Sequence, residues 1–393
     1  MTRAEGPAPT EGAEPTGAVL RRIGPLLVIT FALFWSVGVA LPLVPVAIVD
    51  DLGGTKADVG LAVAAIGLGG LVGRVIGGVL TDTFGGRLPL RVGMGLMAVA
   101  GLAMIRPSSV EVVIGARLLQ GVSEAVTYTA GATLLVENVP AERRARFLSF
   151  NGSAVWGGLT LGPALGESLG RLPAGGVVVL VSCVVAVAAS FRAPERTHRP
   201  SGRVRVRFPR VAWVPGVVIG LYNFGYTAVT GFLILHLRDR GIDPAWALTT
   251  YGVSVACGRL ALGGLPDRLG PRPSLAVGLS GLAASLTVVA WAPSRPVVLL
   301  ALACFGVCYS LPFPAIATLT IDRADPDERA SALATLNAVY DVLALSSGVL
   351  FGWIAEAAGT GTVMAAAVSG IGASLVLALV VVAPRRGAPA GHP

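Results

Sequence analysis

The stretch Gly73-Arg74-Val75-Ile76-Gly77-Gly78-Val79-Leu80-Thr81-Asp82-Thr83-Phe84-Gly85-Gly86-Arg87 returns 185 residues later as Gly258-Arg259-Leu260-Ala261-Leu262-Gly263-Gly264-Leu265-Pro266-Asp267-Arg268-Leu269-Gly270-Pro271-Arg272. Seven of the fifteen positions are identical: Gly73/Gly258, Arg74/Arg259, Gly78/Gly263, Leu80/Leu265, Asp82/Asp267, Gly85/Gly270 and Arg87/Arg272. A shorter repeat ties Pro140, Glu142 and Arg143 to Pro326, Glu328 and Arg329 at an offset of 186. An offset close to half of a 393-residue chain implies two halves with one ancestor and one orientation.

Each copy closes an apolar run, and the chain as a whole is built of such runs. Apolar residues make up 54% and charged residues 13%, with a mean hydropathy of +0.75; a soluble domain carries about 25% charged residues. The composition is that of a polytopic membrane protein, without room for long extramembrane domains. A span of about 20 residues plus a short connection gives about twelve spans in this length. Runs of spanning length fall near 24–49, 58–81, 89–105, 109–134, 148–169, 174–191, 211–236, 245–265, 275–292, 296–320, 330–355 and 360–383. The fold class read here is all-α, twelve transmembrane helices in two pseudo-symmetric bundles of six.

A net charge of +8 invites a nucleic-acid reading. Charge placement rejects it: with a cytoplasmic N-terminus, 21 of the 30 basic residues fall in inside segments, six (Lys56, Arg106, Arg171, Arg238, Arg240, Arg295) outside and three in spans. This positive-inside bias puts both termini in the cytoplasm. The expected organisation is a disordered cytoplasmic tail (1–20), a first bundle (21–191), a basic linker (192–210), a second bundle (211–384) and a cytoplasmic tail (385–393). The linker arginines also suit anionic lipid headgroups. The single lysine, Lys56, lies in Gly53-Gly54-Thr55-Lys56-Ala57, which is no phosphate-binding loop, so uphill transport must draw on an ion gradient or another subunit. Cys183, Cys257, Cys304 and Cys308 lie in apolar runs without His or acidic neighbours, and His236 has no nucleophile at a useful spacing. No metal, cofactor or enzymatic chemistry is expected.

A glycine, an acid four residues on, then a glycine and an arginine at the end of spans 2 and 8 resembles motif A of the major facilitator superfamily. The first copy has Thr83 where the family has a base after the acid; the second keeps it as Arg268. Arg117-Leu-Leu-Gln120-Gly121-Val-Ser-Glu124-Ala125 is similar to the family's motif B. Gly158-Leu-Thr-Leu-Gly162-Pro163-Ala-Leu-Gly166-Glu167 resembles the motif C of drug/proton antiporters, with Glu167 in place of a glycine. The resemblance runs from about residue 20 to 385. It implies alternating access, a cytoplasmic-membrane location and a monomer.

Physical reasoning supports the same mechanism. Two parallel halves can rock about a central site, latched on one face by Asp82 and Asp267 with nearby arginines or a helix N-terminus. Gly85 and Gly270 permit a sharp turn, and Arg87 and Arg272 place cations at the lipid surface. Gly78, Gly263, Arg74 and Arg259 complete this gating set. Glycines four apart, Gly69/Gly73/Gly77 and Gly158/Gly162/Gly166, allow helices to approach closely.

Charges inside spans are costly and mark functional candidates. Arg117, Gln120 and Glu124 form one polar stripe on span 4, which the resemblance turns toward the central cavity. Glu124 is then a candidate proton site. Asp341, beside Tyr340, has no acidic counterpart in the first half, where an offset of 186 reaches Val155. It is read as a cation site, a proton site or an interhelical hydrogen-bond partner. Trp35, Asn151, Trp156, Tyr222, Asn223, Tyr226 and Tyr309 are candidate cavity-lining residues, and few polar groups among aromatic walls favour a lipophilic or amphipathic cargo. The expected function is proton-coupled efflux of a small drug-like or secondary metabolite. The alternatives are a proton-coupled uptake symporter and, in another class, a non-transporting sensor on the same fold.

Overall fold

The computed structural model describes residues 16–140, 143–195, 208–262, 264–325 and 328–381. Most of both expected tails, most of the basic linker and Gly263 lie outside the described residues. Among those described there are fifteen α-helices and no strand. The first six are α1 (Thr16–Val46), α2 (Lys56–Phe84), α3 (Arg87–Ile105), α4 (Val110–Glu137), α5 (Arg144–Leu169) and α6 (Leu172–Ser190). The others are α7 (Trp213–Thr227), α8 (Leu233–Asp239), α9 (Ala247–Leu262), α10 (Leu265–Leu269), α11 (Pro271–Trp291), α12 (Arg295–Tyr309), α13 (Pro312–Arg323), α14 (Arg329–Ala358) and α15 (Thr360–Val381).

α1 continues through a π-helical turn at Ala47–Asp51, and another at Ala228–Phe232 joins α7 to α8. With α12 running into α13 and α10 following α9, the helices make twelve rods. Among the described residues, nine are long and apolar enough to cross a membrane. The other three are α4, which carries Arg117, Gln120 and Glu124, the polar α5, and α9 with α10, between which Gly263 lies outside the described residues and Gly264 forms a turn.

That turn is where the two copies of the repeat part company. α2 is unbroken through Asp82, whereas the second copy has Gly264 and Pro266 in place of Val79 and Thr81. Gly264 lies in a turn where Val79 is helical, and Pro266 has no N–H for the carbonyl four residues back. The turns that follow are alike. Gly85 and Gly270 have φ of 79° and 82°, a conformation only glycine adopts without strain. At its other end α2 opens with a capping box: the Thr55 N–H donates to the Asp58 carboxylate at 2.8 Å, and the Asp58 N–H donates to the Thr55 hydroxyl at 3.2 Å.

α1 packs on α5 and α6, α2 on α4, and α3 on α4 and α6. After the linker, α7 packs on α14 and α15, α9 on α12, and α11 on α12 and α15. The two groups meet along two seams, α2 with α14 and α5 with α9. The repeat exchanges α2 with α9 and α5 with α14, so the seams are equivalent. Lipid gives no hydrophobic drive for helix pairing, and backbone approach replaces it. Gly69, Gly73 and Gly77 lie against Leu118, Val122, Ala125 and Val126 of α4. A Cβ on Gly162 would sit 2.8 Å from the Cα of Gly38 on α1, and across the seam Gly60 and Gly348 abut Gly352 and Ala64.

Adding a side chain at these contacts forces helices apart at about 1–3 kcal/mol. A Gly69→Val substitution meets the Leu118 carbonyl and is expected to lower the thermal unfolding temperature of the purified protein. Gly70→Ala, one residue on with open space around it, should leave it unchanged.

Candidate functional site

The seams are held at two levels, and both levels repeat the two-fold relation. One is the end marked by Lys56. There Glu356 of α14 accepts a hydrogen bond at 2.9 Å from the Lys56 N–H, the first residue of α2. In the other seam Glu167 of α5 accepts from the N–H groups of Trp246 (3.1 Å) and Leu248 (3.0 Å) and from the Thr249 hydroxyl (2.7 Å), at the start of α9. Each glutamate stands three residues before a glycine of positive φ that ends its helix, Gly170 and Gly359. A carboxylate at a helix N-terminus answers both the unpaired N–H groups and the helix dipole. Trp246, the one non-glycine residue with positive φ (69°) among those described, is fixed by this contact. Two ion pairs reinforce the same end: Lys56 with Asp239 at 2.7 Å, and Arg238 with Asp50.

The second level is mid-depth and uses the repeated arginines. Arg74 of α2 reaches across its seam to Asp341 of α14, with Nε to Oδ2 at 2.8 Å and Nη2 donating to Oδ1 at 3.1 Å. Its repeat mate Arg259 of α9 reaches across the other seam and lies 4.2 Å over the ring of Trp156 of α5. Gly67 of α2 abuts Leu345 of α14, and its repeat mate Gly252 of α9 abuts Thr160 of α5, an offset of 185 in both partners, so the structural counterpart of Asp341 is Trp156. The offset of 186 that pointed to Val155 belongs to the preceding loop and does not carry into the helices.

Between these seams runs the polar stripe of α4. Arg117 and Gln120, 3% and 0% exposed, are joined by a 2.8 Å hydrogen bond from the guanidinium to the amide oxygen. Glu124 lies within electrostatic range of Arg74, Asp341 and Arg117. Against this stripe stands an aromatic cluster. Tyr309 contacts Tyr222, Tyr226, Tyr251, Phe305 and Trp156, with ring centroids 5.5–6.4 Å apart. The hydroxyls of Tyr309 and Tyr340 both donate to the Asn223 carbonyl oxygen, at 3.2 and 3.3 Å. A crevice beside the cluster is lined by Leu41, Trp156, Pro163, Tyr226, Thr230 and Tyr251.

Trp35 and Asn151 sit in the α1–α5 interface beside this region: Trp35 packs against the central core, and Asn151 reaches Tyr128, one turn beyond Glu124 on α4. Trp35 stacks on Phe31, and Asn151 accepts a hydrogen bond from Thr30 at 3.0 Å. Gly158, Gly162 and Gly166 line that interface, with Pro163 against Gly38. Of the gating set, Asp82 lies in the last turn of α2, and Arg87 pairs with Glu195 at 2.8 Å and donates to the Ala193 carbonyl at 2.7 Å, tying the α2–α3 turn to the residues after α6. Gly78 has open space around it, and Arg268 and Arg272 are exposed. Asp267 falls in α10. Tyr251, Glu167 as a cap, Glu356, Asp239 and Asp50 were not among the residues singled out by the sequence. The glutamates carry a usable signal: Glu-x-x-Gly closes both spans 5 and 11.

Comparison with known proteins agrees with this architecture. The family model described as Major Facilitator Superfamily matches residues 26–342 and 216–393, and the chain belongs to that family. It is therefore a multi-pass membrane protein and, by its fold, a secondary transporter for small molecules, not an enzyme. It is similar to an uncharacterized MFS-type transporter of Salmonella typhimurium, 27% identical over 365 residues covering 88% of this chain and 93% of the relative. Among solved structures, it resembles a D-xylose-proton symporter (TM-score 0.75, 16% identity, 92% and 97% covered). It also resembles the human organic anion transporter MFSD10 (TM-score 0.69, 15% identity, 93% and 100% covered). At such identities the likeness is one of fold.

The seam geometry makes a coupling prediction. In thermal unfolding of the purified protein, Arg74→Gln and Asp341→Asn should be non-additive by about 0.5–3 kcal/mol, because they remove one shared contact. Asp341→Asn and Arg259→Gln, which lie in different seams, should add.

Proposed function

We propose that this protein is a proton-coupled exporter of a small amphipathic organic compound, working by alternating access between the two bundles. The observation that carries the reading is the mid-depth set of Glu124, Asp341, Arg74 and Arg117, carboxylates and guanidiniums gathered where the seams meet an aromatic cluster. Carboxylates in such a place change charge only if a water path reaches them, and rocking of the bundles supplies that path from one side at a time.

The excess of arginine in the Asp82-side loops supports a cytoplasmic assignment for that side and for both termini, with the Lys56 end outside. The bacterial relatives support the inner membrane as the location. The cross-seam contacts named above lie from mid-depth to the Lys56 end, which supports an inward-facing state with the outer gate shut by Glu167, Glu356, Lys56–Asp239 and Asp50–Arg238. In the proposed cycle the outer gate opens, Glu124 takes a proton, and the bundles rock back. The proton then leaves to the cytoplasm as cargo binds. Asp341 exchanges Arg74 for a proton in the same cycle. No partner subunit is required, and the arginines at the cytoplasmic ends contact lipid headgroups.

Everted vesicles with an acidified lumen test the coupling. Addition of transported cargo from a panel of amphipathic compounds should turn the lumen alkaline as cargo accumulates. Glu124→Gln should abolish that pH change while leaving the protein folded. Uptake with no lumenal alkalinisation, or an unchanged response in Glu124→Gln, overturns the assignment.

A further inference from the structure

The repeat places two arginines at equivalent positions in two equivalent seams but gives only one of them a carboxylate. Arg74 has Asp341. Arg259 has Trp156 at the position matching Asp341, and the indole lies on its guanidinium face while its Nε–H, buried, finds no acceptor among the described residues. Arg117 is in a like situation: it is 3% exposed, and among the described residues its hydrogen bond is to Gln120 and its Nε–H is without an acceptor. Neither guanidinium has a carboxylate within ion-pair distance among the described residues.

Most of the unpartnered buried polar atoms of this region are donors; the exception, Asp341 Oδ2, lies 2.8 Å from Arg74 Nε. The Nε atoms of Arg117 and Arg259, the amide nitrogen of Gln120 and the hydroxyl of Tyr251 are buried and unpaired. Three are N–H donors and the fourth is a phenol able to donate. Three arginines (Arg74, Arg117, Arg259) stand against two carboxylates (Glu124, Asp341), so the site is positive whether Glu124 is charged or neutral. Both unpaired arginines border one aromatic group: Arg259 lies on Trp156, which touches Tyr309, and Tyr309 stacks on Tyr226, within electrostatic range of Arg117.

We propose that the cargo of this transporter is an organic anion, a planar or aromatic body bearing a carboxylate or sulfonate, whose acid group serves Arg259 as Asp341 serves Arg74 in the other seam. The anion accepts from Arg259 and Arg117, with Gln120 and Tyr251 at its edge. The body enters at the crevice beside Trp156, Tyr226 and Tyr251 and stacks between the rings. Guanidinium and carboxylate are natural partners, and the ion pair of Arg74 with Asp341 shows the pairing within the same molecule. The proposal rests on the transport reading and narrows it to one charge class.

Equilibrium dialysis of the full-length purified protein against three matched probes, naphthoate, naphthamide and naphthylmethylammonium, tests it. Naphthoate should bind more tightly than the other two. Arg259→Gln and Arg117→Gln should each weaken naphthoate by roughly tenfold or more, the scale of a lost charged hydrogen bond, and alter naphthamide little. Arg259→Lys should retain part of the affinity. The wild-type ranking needs no variant to fold. Preference for the ammonium or the amide, equal binding of all three, or indifference of naphthoate to both Gln variants overturns the proposal. Proteoliposome flux separates the two claims. Naphthoate bound but never moved leaves the anion site standing and sinks the transport reading. Flux of the ammonium probe alone does the reverse.

Discussion

A guanidinium held in the middle of a membrane must find a carboxylate, an aromatic face or water, because leaving it bare in hydrocarbon costs about 2.5–3.5 kcal/mol even by the most lenient scale. Much of this structure follows from how that demand is met. Arg74 and Arg259 occupy the same position in two copies of one ancestral half, and each is answered from the opposite half. The seam between bundles is therefore also the place where buried charge is compensated. Moving one bundle against the other necessarily disturbs that compensation, which is the physical requirement for linking motion to protonation or to a charged cargo. A buried ion pair is weak evidence for stability, since desolvation offsets its attraction. It is better placed as a switch.

The Lys56 end solves a different problem with equally reversible means. Four N–H groups at each helix start lack partners; here α2 and α9 begin against the opposite bundle, and Glu356 and Glu167 supply acceptors across the boundary. When the bundles separate, both the glutamates and the freed N–H groups can turn to water, so the gate opens without stranding a polar group. Backbone contacts at Gly60 and Gly352 have no side chains to interlock. Such surfaces slide more readily than meshed leucines. The fixed pairings, α1 on α5 and α2 on α4, also rest on glycine, but there the glycine rows run along whole faces and keep each bundle rigid.

The architecture was legible in the sequence because membrane spans are long, apolar and bounded by charge, and because the 185-residue repeat survives in residues whose geometry cannot be substituted, such as Gly85 and Gly270. Span boundaries moved by several residues, and span 8 broke where Gly264 and Pro266 interrupt it, a feature visible in the letters but outweighed by the apolar run. The charged residues of the site were legible as well, since any ion within a span stands out. Their partners were not. Trp156 as the mate of Arg259 depends on the register of α5 against α14, and the flanking loop repeats at 186 while the helices open 185 apart. Glu167 and Glu356 are 189 apart because α14 is four residues longer than α5, 30 against 26. Four residues are close to one helical turn, so the face is preserved while the count is not. A fixed offset cannot see an insertion that a helix absorbs.

The charge class of the cargo bears on the direction of transport. Moving one elementary charge across 100 mV is worth about 2.3 kcal/mol, and the cytoplasm is the negative side. A monoanion leaving in exchange for an entering proton carries two charges down that field, about 4.6 kcal/mol per cycle at 100 mV, before any pH difference is counted. The same anion entering together with one proton moves no net charge, so the potential contributes nothing and the pH difference alone must drive accumulation. A monocation leaving against one proton is likewise electroneutral. A site with three arginines and two carboxylates therefore does more than select acids. Under the proposed reading it selects the cargo whose export at a stoichiometry of one draws most on the membrane potential, two charges against one for a neutral compound and none for a monocation, which a transporter with a single central carboxylate on α4 is equipped to run.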